Sequence, residues 1–199
     1  MNPDWVLGFC DETWWSRFAQ PNLSAWTEGD QAVRLVEQTQ AKDDPDPKAL
    51  ACYGLLLRWM NKDGPSDEKI LLRFVDGRPV SDLTIQFLDW SCQQLEQLNK
   101  RVLALIWDNA SWHISNKVRT WMREHNRQVK HSGQGVRILP CRLPVKSPWL
   151  NPIEPVWVHG KRRVVEPTRT LSAHELAERI CATFGCAHDD HLSIPENDP

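Results

Sequence analysis

The chain has 199 residues, 41% of them hydrophobic, and a formal net charge of −2 at pH 7. That is enough apolar material for one full core with elaborations. No apolar run is long enough to cross a membrane, and no basic stretch followed by an apolar one opens the chain. A cytoplasmic protein with six reduced cysteines is the expectation.

The near-neutral total hides a strong segregation. Residues 1–99 carry 9 Lys/Arg against 16 Asp/Glu, residues 100–170 carry 14 against 4, and residues 171–199 carry 1 against 6. A basic block of this kind is an electrostatic footprint for a polyanion, or simply a solvated basic face. Eleven Trp against a single Tyr is too many for one core, so some are expected at a groove or interface.

In chain order, Trp5 to Cys10 reads as a short apolar strand ending at Asp11. Thr13 to Trp26 reads as a hairpin excursion turning at Pro21-Asn22, and Gln31 to Gln38 as a loosely alternating strand. Gln40 to Lys48 is a proline-broken loop. Leu50 to Trp59 and Ile70 to Val75 are two strands joined by NKDGPSDEK. Ser81 can cap a helix with Phe87, Leu88, Cys92, Leu95 and Leu98 at helical spacing. VLALIW, from Val102 to Trp107, is a continuous apolar run, as in a strand buried on both faces of a parallel sheet. Ser115 can cap a second helix with Val118, Trp121, Met122 and His125 on one side; HNRQVKHSGQGV then reads as a polar loop before a strand at Val136 to Leu139. Asn151-Pro152-Ile153-Glu154 is a helix start, with Ile153 and Trp157 facing the sheet. Ser172 with Glu175 forms a capping box for a helix over 173–184 that stops at Gly185. An α/β fold with a mixed central sheet flanked by helices follows from this order.

Three acidic residues stand out against that framework. Asp11 and Asp108 each follow an apolar strand, and Glu154 lies in the first turn of a helix within SPWLNPIEPVW. Carboxylates converging from separate elements are what a pair of magnesium ions requires when phosphodiester bonds are cut or joined. Each has a plainer reading: Asp108 as an Asx turn leaving its strand, Asp11 as an ordinary strand-end acid, Glu154 as a helix-capping carboxylate. Glu12 adjoins Asp11, and strand alternation would turn it to the other face.

On DNASWH (Asp108 to His113) and SPWLNPIE (Ser147 to Glu154), the chain resembles the DDE transposases of the insertion sequence 630 branch of the mariner-like superfamily, from about Val6 to Val165. The resemblance implies an RNase H-like catalytic domain over residues 1–170, followed by a C-terminal helix and tail over 171–199. It implies that Asp11, Asp108 and Glu154 are catalytic and bind two Mg2+ (or Mn2+) ions. The implied activity is metal-dependent DNA strand cleavage and strand transfer at insertion-sequence ends. Double-stranded DNA is then the partner, with a homo-oligomer assembling on it in association with the nucleoid. The alternatives are a silent remnant that binds DNA or a partner transposase, and another RNase H-like nuclease. The 46-residue interval from Asp108 to Glu154 exceeds the usual mariner-like gap, and the excess is assigned to the polar loop at 125–136. The family's N-terminal helix-turn-helix is absent from these residues.

Trp112, His113, Lys146, Trp149, Lys161, Arg162 and Arg163 are the candidate nucleic-acid contacts. His113 could orient a phosphate or water, or simply pack at a helix start. The cationic trio could meet phosphates or complement a helix C-terminus, and the two Trp could stack on an unpaired base or fill core. Cys181, Cys186, His188 and His191 invite a zinc reading, but their spacing matches no strong template.

Overall fold

The computed structural model describes residues 2–18, 25–26, 32–33, 40–61, 66–164, 166 and 169–194. Its strands are β1 (Trp5–Ser16), β2 (Ala25–Trp26), β3 (Ala32–Val33), β4 (Ala49–Met60), β5 (Ser66–Val75), β6 (Val102–Trp107) and β7 (Arg137–Arg142). The helices are α1 (Ser81–Gln97), α2 (Asn116–Ser132), α3 (Ile153–Val164) and α4 (Ala173–Phe184). A five-stranded sheet has the order β5-β4-β1-β6-β7. β1 runs antiparallel to β4 and parallel to β6, and β6 runs parallel to β7. This is the RNase H-like arrangement.

Alternation along the strands divides the core in two. Val6, Cys10, Tyr53, Leu55, Leu103 and Trp107 point to the face covered by α1 and α2. Trp15, Cys52, Leu56 and Phe74 point to the face covered by α3 and α4. Among the described residues both faces carry a buried cluster, but α3 and α4 cover only the β1, β4 and β5 part of theirs. Val102, Ala104 and Ile106 of β6 are therefore half-buried on that side, and the strand expected to be buried on both faces is fully buried on one. Pro140 sits in β7, where an edge strand tolerates the missing N–H.

Several expectations are corrected here. β1 does not stop at Asp11: the alternation continues through buried Thr13 and Trp15, and pairing with β4 runs to Ser16 opposite Ala49. The proposed turn at Pro21-Asn22 and most of the strand at 31–38 lie outside the described residues. Val80, not Ser81, is the N-cap of α1, and the Ser81 hydroxyl donates instead to Ser115 Oγ at 2.9 Å. The polar stretch at 125–132 is helix, because nothing breaks α2 before Gly133 takes a left-handed φ of 69°. It looked like a loop because α2 buries only Val118 and Met122. Ser115, the Ser172–Glu175 capping box and left-handed Gly185 act as read from the sequence.

Position 170 is not a break in packing. Leu176, Ala177 and Ile180 of α4 share a core cluster with Trp15 and Trp157. Arg17, 5% exposed at the end of β1, donates from Nε to the Leu171 carbonyl at 2.7 Å. No helix among the described residues is long and apolar enough to cross a membrane.

Candidate active site

The site is built where the parallel pairing of β1 with β6 finishes. The β1–β6 register ends at Phe9 opposite Ile106, and two residues further on stand Asp11, within β1, and Asp108, just past the end of β6. Ends of parallel strands are where open α/β sheets place their ligands. Strand alternation then separates the neighbours Asp11 and Glu12: Asp11 turns to the α3 side and Glu12 to the α2 side.

Helix α3 is delivered to Asp11 by two contacts. Asn151, 2% exposed, donates from Nδ2 to the Cys10 carbonyl at 3.0 Å, and its own carbonyl accepts from Glu154 N at 3.1 Å. One turn on, Trp157 Nε1 donates to Asp11 Oδ2 at 2.9 Å. The indole fits because β4 offers a glycine beneath it: a Cβ on Gly54 would lie 2.2 Å from Trp157 Cη2. Trp15 and Phe184 close the ring from the side, with centroids 6.0 and 5.9 Å from that of Trp157. Glu154, in the first turn of α3, is left half-buried and free of side-chain hydrogen bonds among the described residues.

Asp108 is held from the opposite side. His113, 1% exposed, places Nδ1 2.7 Å from Asp108 Oδ1 and Nε2 2.7 Å from Glu12 Oε1. Its ring stacks on Trp107 at 4.5 Å. Ala110 N also donates to Asp108 Oδ1, at 2.9 Å. Beside Asp108, Asn109 Nδ2 donates to the Leu143 carbonyl at 2.8 Å and pins the segment leading to α3.

The electrostatics follow from this geometry. Burial pushes the Asp11 carboxyl up from 3.8 to about 7, and the nearby Glu12 and Glu154 charges add to the effect; the Trp157 bond opposes them. Glu154 is raised by burial and by Asp108, against the pull of Lys161. Asp108 is lowered, chiefly by its bond to His113. Burial opposes a charge on His113, but the bonds to Asp108 and Glu12 outweigh it and raise the imidazole to about 9. His113 thus offsets one of the two charges on Glu12 and Asp108, whereas Asp11 is raised further by its acidic neighbours and Glu154 is only partly relieved by Lys161.

Such a set fits a hard divalent ion. Asp11 Oδ1, Asp108 Oδ2 and both Glu154 oxygens carry no side-chain hydrogen bond among the described residues. All-oxygen donors from three elements suit magnesium or manganese rather than a thiolate-seeking metal.

The remaining predicted residues divide. His113 does not face a nucleic acid: both ring nitrogens are engaged by carboxylates inside the protein. Trp112 is half-buried against His113, with centroids 6.0 Å apart. Trp149 is 73% exposed on a single 3-10 turn, and Lys146 is exposed with a positive φ of 58°. Lys146 and Asp108 line the same groove, of ≈ 330 Å³. Arg162 and Arg163 are exposed, while Lys161 lies 5.9 Å over the Trp15 ring. A second groove, of ≈ 500 Å³, carries Arg119, Arg123 and Arg142, which sequence reading did not single out. Glu12, Asn151 and Gly54 were also missed as site-builders, since their roles depend on partners 101, 141 and 103 residues away.

The profile of the DDE superfamily endonucleases matches residues 59–176, more than half the chain and inclusive of Asp108 and Glu154. The chain belongs to the DDE superfamily endonuclease family. Its fold is also that of solved mariner transposase complexes. The Mos1 transposase paired-end complex with left transposon end aligns with a TM-score of 0.56 at 16% identity, over 94% of this chain and 49% of that one. The Mos1 strand transfer complex aligns with a TM-score of 0.51 at 16% identity, over 93% and 48%. A pre-cleavage Mos1 transpososome gives 0.52 at 13% identity, over 94% and 49%. This DDE endonuclease chain therefore spans about half the length of those chains. No curated protein matches it.

Proposed function

We propose that this chain is a transposase catalytic domain that cuts double-stranded DNA at insertion-sequence ends and transfers the freed strands. In this reading Asp11, Asp108 and Glu154 hold two Mg2+ or Mn2+ ions. The observation that carries the reading is that Asp11 and Asp108 follow directly on the end of the β1–β6 pairing, with the helix of Glu154 pinned beside Asp11 by Asn151 and Trp157. Mos1 complexes solved with Mn and with Mg support the choice of ion.

Bound there, the ions would supply an activated water or DNA 3′-hydroxyl and neutralise charge on the leaving oxygen. The protein's own groups have distinct tasks. Asp11 would be one of the ligands, its carboxylate oriented by the Trp157 hydrogen bond. His113 holds Asp108 by one oxygen and directs the other outward, while Glu12 balances the imidazolium from behind. DNA phosphates are met by Lys146, Arg162 and Arg163 and by Arg119, Arg123 and Arg142; Trp149 offers an exposed stacking surface for an unpaired base. Such contacts position DNA without reading sequence, so terminal-repeat recognition requires a module beyond these groups. Homo-oligomer assembly on DNA belongs to the same proposal.

The test is nicking of supercoiled plasmid in Mg2+ or Mn2+ by the wild type and by Asp11→Ala, Asp108→Ala and Glu154→Ala. Metal-dependent nicking lost in every variant is the expected result. Equal nicking by a triple variant would overturn the assignment, and an inert wild type that still binds DNA would favour a silent remnant.

A further inference from the structure

We propose that His174, Glu178 and His188 form a second metal site, separate from the carboxylate centre, which takes zinc or a similar borderline transition ion and fastens the C-terminal tail to α4. Ligand atoms of these three side chains all lie within 4.8 Å of one another. The Ser172–Glu175 box starts α4 at Ala173, so positions 174 and 178 stand one turn apart on the same face. Gly185 then ends the helix in the left-handed region at φ 64° and turns the chain back. That turn brings His188 Nδ1 to 2.7 Å from Glu178 Oε1 and its ring centroid to 5.7 Å from that of His174.

His188 is held there without any ion. The Phe74 ring packs edge-on against it at 5.5 Å. Beyond it, His191 Nδ1 lies 2.9 Å from Asp76 Oδ1 and Leu192 N donates to the Phe74 carbonyl at 2.8 Å. Leu192 is itself buried, so the tail is anchored on both sides of the cluster. Two tetrahedral zinc ligands at about 2.0–2.1 Å from the ion stand roughly 3.3 Å apart. The 2.7 Å contact needs to open only slightly, and both side chains of α4 are exposed and free to adjust.

The donor set decides the metal. Two imidazoles and one carboxylate suit zinc, cobalt or nickel, whereas magnesium prefers an all-oxygen shell such as the triad. Three protein ligands leave a fourth position for water. The tail cysteines, the obvious thiolate candidates in the sequence, are used otherwise: Cys181 Sγ points to the Ala187 carbonyl and Cys186 Sγ to the Cys181 carbonyl. His191 is engaged by Asp76. The consequence is structural. Phe184, at the end of α4, packs on Trp15 and Trp157, so fixing the tail to α4 braces the layer that carries the Asp11 hydrogen bond.

The full chain, stripped of metal, is titrated with cobalt(II). One ion should bind with visible absorption of four-coordinate intensity and without a thiolate-to-cobalt charge-transfer band. His174→Ala and His188→Ala should each weaken binding by about a hundredfold or more, since loss of supporting groups alone costs 10–100-fold. Zinc should displace that ion and raise the melting temperature of the wild type but of neither variant; Asp108→Ala should retain the four-coordinate absorption. Circular dichroism confirms that the exposed His174→Ala variant remains folded. The proposal is overturned if no saturable absorption of four-coordinate intensity appears, if that absorption survives both His substitutions, or if a thiolate band appears and is lost in Cys186→Ser.

Discussion

Replacing Asp11 with Asn should stabilise the metal-free protein while destroying its proposed activity. The shape is retained, and the Asn carbonyl oxygen can still accept the Trp157 N–H. What disappears is a carboxylate charge that burial and the Glu12 and Glu154 charges disfavour. In the native chain this group titrates at about 7 rather than 3.8. Between those values the folded state holds a proton that the unfolded state has released, so wild-type stability falls as pH rises through the window. The gap of 3.8 to about 7 corresponds to about 4 kcal/mol as a ceiling, at about 1.36 kcal/mol per pH unit. Movement of the half-exposed Glu154 relieves part of it, leaving an expected gain of about 2–4 kcal/mol at pH 8. For a chain of this size that raises the melting temperature by roughly 5–15 °C. The assay is urea unfolding of both proteins in chelator at pH 4, 6 and 8. The two should coincide near pH 4 and separate progressively, and added Mg2+ or Mn2+ should stabilise only the wild type. An Asn variant that is no more stable at pH 8, or a difference that does not change with pH, would refute the reasoning.

Two other perturbations probe the site's supports and its surface. His113→Gln leaves Glu12, with a side chain only 5% exposed, without its countercharge, which should cost about 3–5 kcal/mol at pH 6. Because His113 titrates at about 9 when folded against 6.5 ordinarily, its contribution is complete below 6.5 and lost as pH rises through 9. Unfolding curves should therefore show the variant's deficit shrinking from pH 6.5 to 9, and a deficit independent of pH would count against the ion pairs. Arg162→Glu with Arg163→Glu should weaken DNA binding alike on all sequences and flatten its logarithmic salt dependence by about 0.9 for each phosphate no longer neutralised. Fluorescence anisotropy across a salt series measures this, and an unchanged slope would remove α3 from the DNA interface.

The parts of the fold legible in the sequence are those set by local rules. VLALIW announces the strand, though only one of its faces is fully buried, and the capping box at Ser172 and the stop at Gly185 mark α4 to the residue. The positions of Asp108 after a strand and of Glu154 at a helix start were legible for the same reason, while their proposed role came from the resemblance carried by DNASWH and SPWLNPIE. What escaped depends on distant partners. β1 extends past Asp11 because β4 pairs with it to Ser16, which no local pattern in Thr13-Trp14-Trp15 declares. The second half of α2 reads as a loop because its exposed face is polar, and solvation alone does not distinguish the two. His113 suggested a phosphate contact by its chemistry, but burial between Glu12 and Asp108 is a tertiary outcome. Of the tail residues that invited a zinc reading, Cys181, Cys186, His188 and His191, the turn at Gly185 brings only His188 to His174 and Glu178, a grouping no local spacing declares.

Iron(II) substituted for magnesium, with ascorbate and peroxide, tests the carboxylate centre most directly, because it maps a bound ion whether or not the chain is active alone. Hydroxyl radicals formed at the ion cut the nearby backbone. Cuts near residues 11, 108 and 154 are predicted, suppressed by excess Mg2+ or Mn2+ and absent from Asp108→Ala; any cuts near residues 174 and 188 should yield to zinc instead. A pattern without cleavage around Asp11, Asp108 and Glu154, or one unchanged in Asp108→Ala, would contradict the metal centre on which the proposed function rests.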